Sequence, residues 1–175
     1  VYNIFNSAAA LALVRAIVPT ASVNSLLGAL STVTPAFGRG ETLSVGGHPL
    51  ELVLVKTPSG FRLGLESYDP DGYATMIAIN DNYADGRDMS WLWDVDFTKL
   101  SGHSVYVTGV RAYDMALRLQ YDEVGMEKVD TELAKALTDF IARHDDTPKR
   151  IYCTYTAMLA LRKELSKITR VEVVS

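Results

Sequence analysis

Apolar residues recur at helical spacing from the start of the chain. Ile4, Ala8, Leu11 and Ala12 fall on one face, so residues 3–17 read as an amphipathic helix that Pro19 ends. "SVNSLLGALST" (22–32) reads as a second, shorter helix with Ser22 as its N-cap. "PAFGRGE" (35–41) is then a turn. "TLSVGGHPLELVLVK" (42–56) places two extended runs around a Gly-Gly pair, the pattern of a β-hairpin. From there strands and helices alternate: a helix after Pro58 (58–68), strands at 73–80 and 103–109, and a helix at 111–122. A helix capped by Asp130 (130–144), a strand (150–156), a helix (157–168) and a last strand (170–174) follow.

Strands separated by helices at short connections define βαβ units, and hence an α/β fold with a mostly parallel sheet. Ligands of such sheets sit beyond the carboxyl ends of the strands. Lys56, Asn80, Asp81, Thr108 to Arg111 and Cys153 to Thr156 all follow an expected strand, which makes their loops candidate sites by position.

Composition narrows the picture. With 175 residues the chain can bury one sizeable core with a small appendage. Hydrophobic content of 48% and charged content of 22% fit a globular domain rather than a disordered one. A net charge of -4 argues against non-specific binding to nucleic acid. One cysteine, Cys153, excludes an internal disulfide framework, and His48, His103 and His144 form no metal-ligand pattern with it. The stretch "AAALALVRAIV" is interrupted by Arg15 and too short to span a bilayer. The chain opens at Val1 almost directly in a helical pattern, so it is expected to be part of a longer polypeptide, cut at a domain border.

Chemistry concentrates in "NDNYADGRDMSWLWDVDF" (80–97). It holds five aspartates (Asp81, Asp85, Asp88, Asp94, Asp96), Arg87 and both tryptophans, Trp91 and Trp93. Turn formation accounts for some of the acids, because Asp bonds nearby backbone N–H groups. The indoles either brace the loop from inside or form an exposed interface. An ionised Asp at such an interface can accept a hydrogen bond from a partner's histidine and fix its tautomer, as the third member of a catalytic triad does. Elsewhere, "GRGE" (38–41) reads as a tight turn or as Arg39 offered to a phosphate, and "LVKTPSG" (54–60) sets Lys56 at a strand end. "VTGVRAYDM" (107–115) passes from strand through Gly109 to a helix N-terminus able to hold an anion. Neither G-x-x-x-x-G-K-[ST] nor a strand-following G-x-G-x-x-G occurs, so a complete nucleotide triphosphatase is not read from this chain. Cys153 has no Cys/His signature beside it and reads as a buried strand thiol.

Taken in order, "PAFGRGE", "LVKTPSG", "NDNYADGRDMSWLWDVDF", "TGVRAYDMALRLQY" and "TYTAMLALR" resemble the C-terminal domain of the MurT family, the ligase-like subunits of lipid II isoglutaminyl synthase. The resemblance covers nearly the whole chain, and the acidic-tryptophan block is its most specific piece. It implies a Rossmann-like Mur ligase C-terminal α/β domain over 35–175, with 1–34 as the helical end of the central ligase domain. It also implies a subunit that phosphorylates the α-carboxylate of D-glutamate in lipid II. ATP and Mg2+ would bind mostly outside this chain, as would the zinc that many members carry in the central domain; within the chain no metal site is expected. Ammonia would come from a GatD-type class I glutaminase with a Cys/His pair but no acid of its own.

The acid is then lent by this domain. Asp88, in "DGRDMSW", is the first candidate, with Asp94 and then Asp85 as alternatives, and Asp81 is disfavoured because it sits at the strand end. Trp91, Trp93 and Arg87 would form the docking surface. Lys56 and Thr57 would approach ATP, although their segment lacks the Asp and His usual in ligases. Arg39 resembles the arginine that opens the ligase C-terminal domain, and Thr108 and Arg111 would face the acyl phosphate or the incoming ammonia. The resemblance places the work in the cytoplasm at the inner face of the bacterial membrane, without nucleic acid or a transmembrane segment, and implies that this piece alone is inactive. The non-catalytic alternative is a module that only docks and positions a glutaminase.

Overall fold

The structure, a computed structural model, describes residues 2–33 and 39–171. The chain divides between Pro35 and Ala36 into two compact units. The first contains α1 (Tyr2–Ile17) and α2 (Val23–Ser31). Ser22 caps α2 as its sequence predicts, its Oγ accepting the Ser25 N–H at 3.1 Å.

The second unit is built on a six-stranded sheet. In chain order it contains β1 (Arg39–Val45), β2 (His48–Leu54), α3 (Pro58–Ser67) and β3 (Ala74–Ala78). Two short 3₁₀ turns (Ser90–Asp94 and Thr98–Leu100) lead to β4 (Ser104–Thr108), α4 (Ala112–Tyr121) and β5 (Gly125–Asp130). α5 (Leu133–Arg143), β6 (Lys149–Cys153) and α6 (Tyr155–Leu165) complete it. The strands lie in the order β1-β2-β6-β3-β4-β5, antiparallel only between β1 and β2. The hairpin turn uses Gly46 (φ +61°) and Gly47 (φ +84°), where the twist of a two-residue connection calls for positive φ at both positions.

The central strands β3, "ATMIA", and β6, "KRIYC", are buried along their whole length, because helices cover both faces of the sheet. On one face Phe61 and Leu65 of α3 and Met115 and Leu119 of α4 pack with Leu92, Val95, Phe97 and Leu100 of the 79–103 connection. On the other, Ala136, Leu137 and Phe140 of α5 pack with Ala157, Met158 and Leu161 of α6. β6 inserts between β2 and β3, so the connection after β3 leaves on one face and α6 on the opposite one. At such a reversal a parallel sheet opens a crevice beyond its strand ends.

The sequence reading and the structure differ at β5, at the start of α5, and at residues 155–156, read as the end of a strand but forming the first turn of α6. β5 is an additional edge strand: "GMEKVD" alternates only weakly, and its solvent side carries Glu127 and Gly125, so strand periodicity is faint. Asp130 is therefore the last residue of β5 and not the cap of α5, which starts at Leu133. Its carboxylate still serves that helix start, accepting the Glu132 N–H at 3.0 Å and pairing with Lys135 at 3.2 Å. Of the expected strand over 170–174, residues 170 and 171 are in no strand and 172–174 lie outside the described residues. Of the expected turn over 35–41, residues 39–41 belong to β1, which starts earlier than its alternation shows, and 35–38 lie outside the described residues.

Candidate functional site at the carboxyl end of the sheet

The segment after β3 is fastened before it becomes a loop. Ile79 donates its N–H to Thr108 O at 2.9 Å, and Arg111 donates its N–H to Ile79 O at 2.9 Å. Asn80 spans the crevice: its N–H reaches Thr154 Oγ1 at 2.9 Å, its Nδ2 reaches Thr156 Oγ1 at 3.2 Å, and its Oδ1 accepts the Val110 N–H at 3.0 Å. Gly109 permits this closeness. Its φ is +96°, and a Cβ there would lie 2.4 Å from Ile79 O. The helix N-terminus at 109–112, an anion site by sequence, thus has its Val110 and Arg111 donors engaged by the chain itself.

The five aspartates divide by partner. Asp81 is buried and meets Arg111 at 2.9 Å, and Arg111 also bonds Asp114 at 3.1 Å. Asp85 accepts the Thr156 N–H at 2.7 Å through Oδ1, and through Oδ2 the Thr156 hydroxyl at 2.5 Å and the Asn82 N–H at 3.0 Å. It is a side-chain cap for α6, supplied from a distant part of the sequence. Asp96 accepts the N–H and the hydroxyl of Thr98 at 2.9 and 2.6 Å.

Asp88 and Asp94 are both exposed. Asp88 accepts the Ser90 N–H at 2.8 Å, and this bond, with help from the Ser90 side chain, holds its pKa below the ordinary carboxylate value. No hydrogen bond or ion pair from a described residue reaches Asp94.

The two indoles take opposite roles. Trp91 is half-buried and packs against the core. Trp93 is 49% exposed, edge-on to Tyr121 at 5.1 Å, with the Arg118 guanidinium 5.7 Å from its ring. Arg118 is buried; it bonds Val95 O at 2.5 Å and Asp122 at 2.8 Å, and Asp122 accepts the Phe97 N–H at 2.7 Å. This linkage ties the far side of the loop to α4. Arg87, Asp88, Trp93, Arg111 and Asp114 line one open cleft of 270 Å³, so four of the sequence candidates come together there.

The remaining candidates lie apart from that cleft. Lys56 and Thr57 are exposed at the carboxyl end of β2. The Lys56 ammonium lies 5.2 Å from the centre of the Tyr155 ring, and Thr57 Oγ1 accepts the Gly60 N–H at 3.1 Å as the cap of α3. Thr108 is fully buried, its hydroxyl without a hydrogen-bond partner among the described residues. The side chain of Arg39 lies outside the described residues. Cys153 is buried in β6, and burial pushes its thiol pKa up, the opposite of what a nucleophile needs. Among the described residues no group of His, Cys, Asp and Glu is arranged to hold a metal ion, and no helix is long and apolar enough to cross a membrane.

Sequence reasoning passed over Asn82, and it marked Asn80 and Thr156 by position alone, with no role. Asn80 and Thr156 follow strands, which was their only signal; their pairing across the crevice depends on the strand order. Chemically, the arrangement offers an ionised carboxylate on a braced loop beside a half-exposed indole and an arginine. A carboxylate so placed can accept an imidazole N–H.

A mostly parallel sheet with one antiparallel edge hairpin, preceded by helices, is the C-terminal architecture of Mur-type peptide ligases. A pseudomurein peptide ligase type C from Methanothermus fervidus superimposes with a TM-score of 0.66 at 14% identity, over 96% of this chain and 36% of that one. The UDP-N-acetylmuramate-alanine ligase MurC from Thermotoga maritima gives 0.64 at 15% identity, over 95% and 37%. In sequence, the chain is 33% identical over 171 residues to the lipid II isoglutaminyl synthase (glutamine-hydrolyzing) subunit MurT of Streptococcus pneumoniae, which covers 94% of this chain and 38% of that subunit. The chain belongs to the MurT ligase C-terminal family, whose sequence pattern matches residues 54–158. It spans little more than a third of the length of each of these relatives.

Proposed function

We propose that the chain is the C-terminal part of an ATP-dependent ligase subunit that amidates the D-glutamate α-carboxylate of lipid II, and that its 80–97 loop docks a GatD-type glutaminase. In this reading Asp88 is the acid that orients the histidine of the partner's Cys/His pair. The partner hydrolyses glutamine to glutamate and ammonia, and the ammonia displaces phosphate from the activated carboxylate in the rest of the subunit. The observation that carries the proposal is Asp88 itself: an exposed carboxylate, its pKa held below the ordinary value by Ser90, lining a cleft within the segment that matches the family. Trp93 and Arg87, beside it in the same cleft, support docking at this place. Trp91 braces the loop from within.

ATP and Mg2+ belong to the full-length subunit. The residues at the β2 end fit a phosphate: Lys56 is exposed and meets no carboxylate among the described residues, and the start of α3 lies next to it. This chain alone then ligates nothing. The substrate, a membrane-bound lipid, sets the reaction at the cytoplasmic face of the membrane.

The test is glutamate release by the purified glutaminase, alone and with the full-length subunit, wild type against Asp88→Asn. Asn keeps shape and removes charge. The expected result is a fall in kcat of about 10³-fold or more, with the complex still formed at nearly unchanged Kd. Full activity in Asp88→Asn would move the role to Asp94, an exposed acid of the loop whose carboxylate meets no hydrogen bond or ion pair from a described residue, or reduce the loop to a non-catalytic docking element. The same substitution at Asp94 separates these two outcomes.

A further inference from the structure

Asp85 and Thr156 have a role beyond capping a helix. We infer that they form a latch that sets the position of Asp88, and are thus positioning residues for glutamine hydrolysis; this rests on the function proposed above.

The latch is saturated. The Thr156 hydroxyl donates to Asp85 Oδ2 at 2.5 Å and accepts from Asn82 Nδ2 at 2.9 Å and Asn80 Nδ2 at 3.2 Å. One donor and two acceptor sites are all that a hydroxyl has. The Thr156 N–H donates to Asp85 Oδ1, so one carboxylate holds both groups of a residue in the first turn of α6. These bonds are charge-assisted and lie at the positive end of a helix, which makes them stronger than bonds between neutral groups. Gly86 follows at once with φ +90°, a left-handed conformation that favours glycine, and only Arg87 then separates it from Asp88.

Beyond Asp88 the chain is fixed again, because Met89 and Leu92 are buried. The tip at 86–88 is therefore held between two anchors: the latch on one side and the core on the other. Removing the latch frees one end of the tip. The acid then keeps its chemistry but loses its place, and a displacement of about 1 Å at a catalytic group can cost up to about 100-fold in rate.

The experiment uses the full-length subunit in complex with its glutaminase. It compares Asp85→Asn, Thr156→Val and Thr156→Ser with wild type, and Asp85→Asn in the Asp88→Asn background. Asp85→Asn and Thr156→Val are expected to lower kcat for glutamine hydrolysis about 10- to 100-fold, with KM for glutamine and Kd of the complex within about twofold. Thr156→Ser, which restores the hydroxyl, should recover most of the rate. In the Asp88→Asn background Asp85→Asn should add nothing further, because a residue that acts only through Asp88 has no effect once Asp88 is gone. Loss of the α6 cap lowers thermal stability in either case, but a purely structural role would add to the Asp88 loss.

Unchanged kcat in Asp85→Asn and Thr156→Val, with a large loss in Asp88→Asn, overturns the latch and leaves the proposed function standing. A large loss in Asp85→Asn with full activity in Asp88→Asn makes Asp85 the acid itself and also overturns the latch. No loss in any variant removes both. If Asp85→Asn does not fold, Thr156→Val, which keeps the side-chain shape, decides alone.

Discussion

Two strand ends of this sheet look alike in sequence and differ in structure. β2 and β3 both run from buried apolar residues into a short polar stretch, each beside a helix N-terminus. At the β3 end, donors just before α4 and in the first turn of α6 are taken by the chain itself, through Ile79 O, Asn80 Oδ1 and Asp85 Oδ1. At the β2 end, among the described residues α3 is capped only by the adjacent Thr57, through its hydroxyl to Gly60 and its carbonyl to Phe61, and Lys56 beside it is exposed. A helix N-terminus attracts anions wherever it occurs. Here one such place is closed by an internal carboxylate and serves to hold a loop, whereas the other is open and cationic. One device thus holds a loop at one strand end and leaves an exposed lysine beside an open helix start at the next.

The closed end depends most on Gly109. A side chain there meets Ile79 O at 2.4 Å and Asn80 Oδ1 at 2.9 Å, in a backbone conformation with φ +96°. Gly109→Ala is expected to destabilise the domain by about 3 kcal/mol or more, from left-handed strain together with a clash against backbone. The shift in the urea midpoint at constant m-value measures it. A loss below about 1 kcal/mol would mean that the closed end yields easily, and the contrast between the two strand ends would weaken.

The fold was legible where the signal is local. The Gly-Gly pair and the apolar runs around it give the β1-β2 hairpin, Ser22 gives the start of α2, and Pro58 that of α3. β5 was not legible, because an edge strand half open to solvent does not alternate cleanly between apolar and polar residues. The site was legible by position and not by pairing. That Asp85 is bonded across the sheet end while Asp88 is exposed cannot be read along the chain, where both look like turn-forming acids. It follows from the insertion of β6 beside β3, which carries Thr156 to within 2.5 Å of Asp85, 71 positions away. Trp91 and Trp93 are similarly two residues apart, and the 3₁₀ turn sends one ring inward and the other outward.

At the open end the expected effects on stability are smaller. Thr57→Ala removes the hydroxyl that accepts the Gly60 N–H. The N-terminus of α3 is exposed, so water replaces part of the lost bond, and the cost should be about 1 kcal/mol by urea denaturation. Thr57→Ser should retain most of the stability. A loss near that of Gly109→Ala would show that the start of α3 is as tightly built as the closed end.

The smallest effect on stability and the sharpest one on function are expected together, at Lys56. Its ammonium faces solvent over the Tyr155 ring, and an exposed cation–π contact contributes about 0.5–1 kcal/mol at most. Lys56→Ala should therefore change stability by no more than about 1 kcal/mol. If the open end faces the nucleotide in the full-length subunit, the same substitution removes a point charge from a phosphate, and the KM for ATP in the amidation reaction should rise about tenfold. Glutamine hydrolysis by the partner should stay unchanged, because Lys56 belongs to the other strand end. An unaltered KM for ATP would deny the open end its phosphate. A fall in glutamine hydrolysis would instead mean that the first turn of α6, which touches Lys56 through Tyr155 and Asp85 through Thr156, joins the two ends into one site.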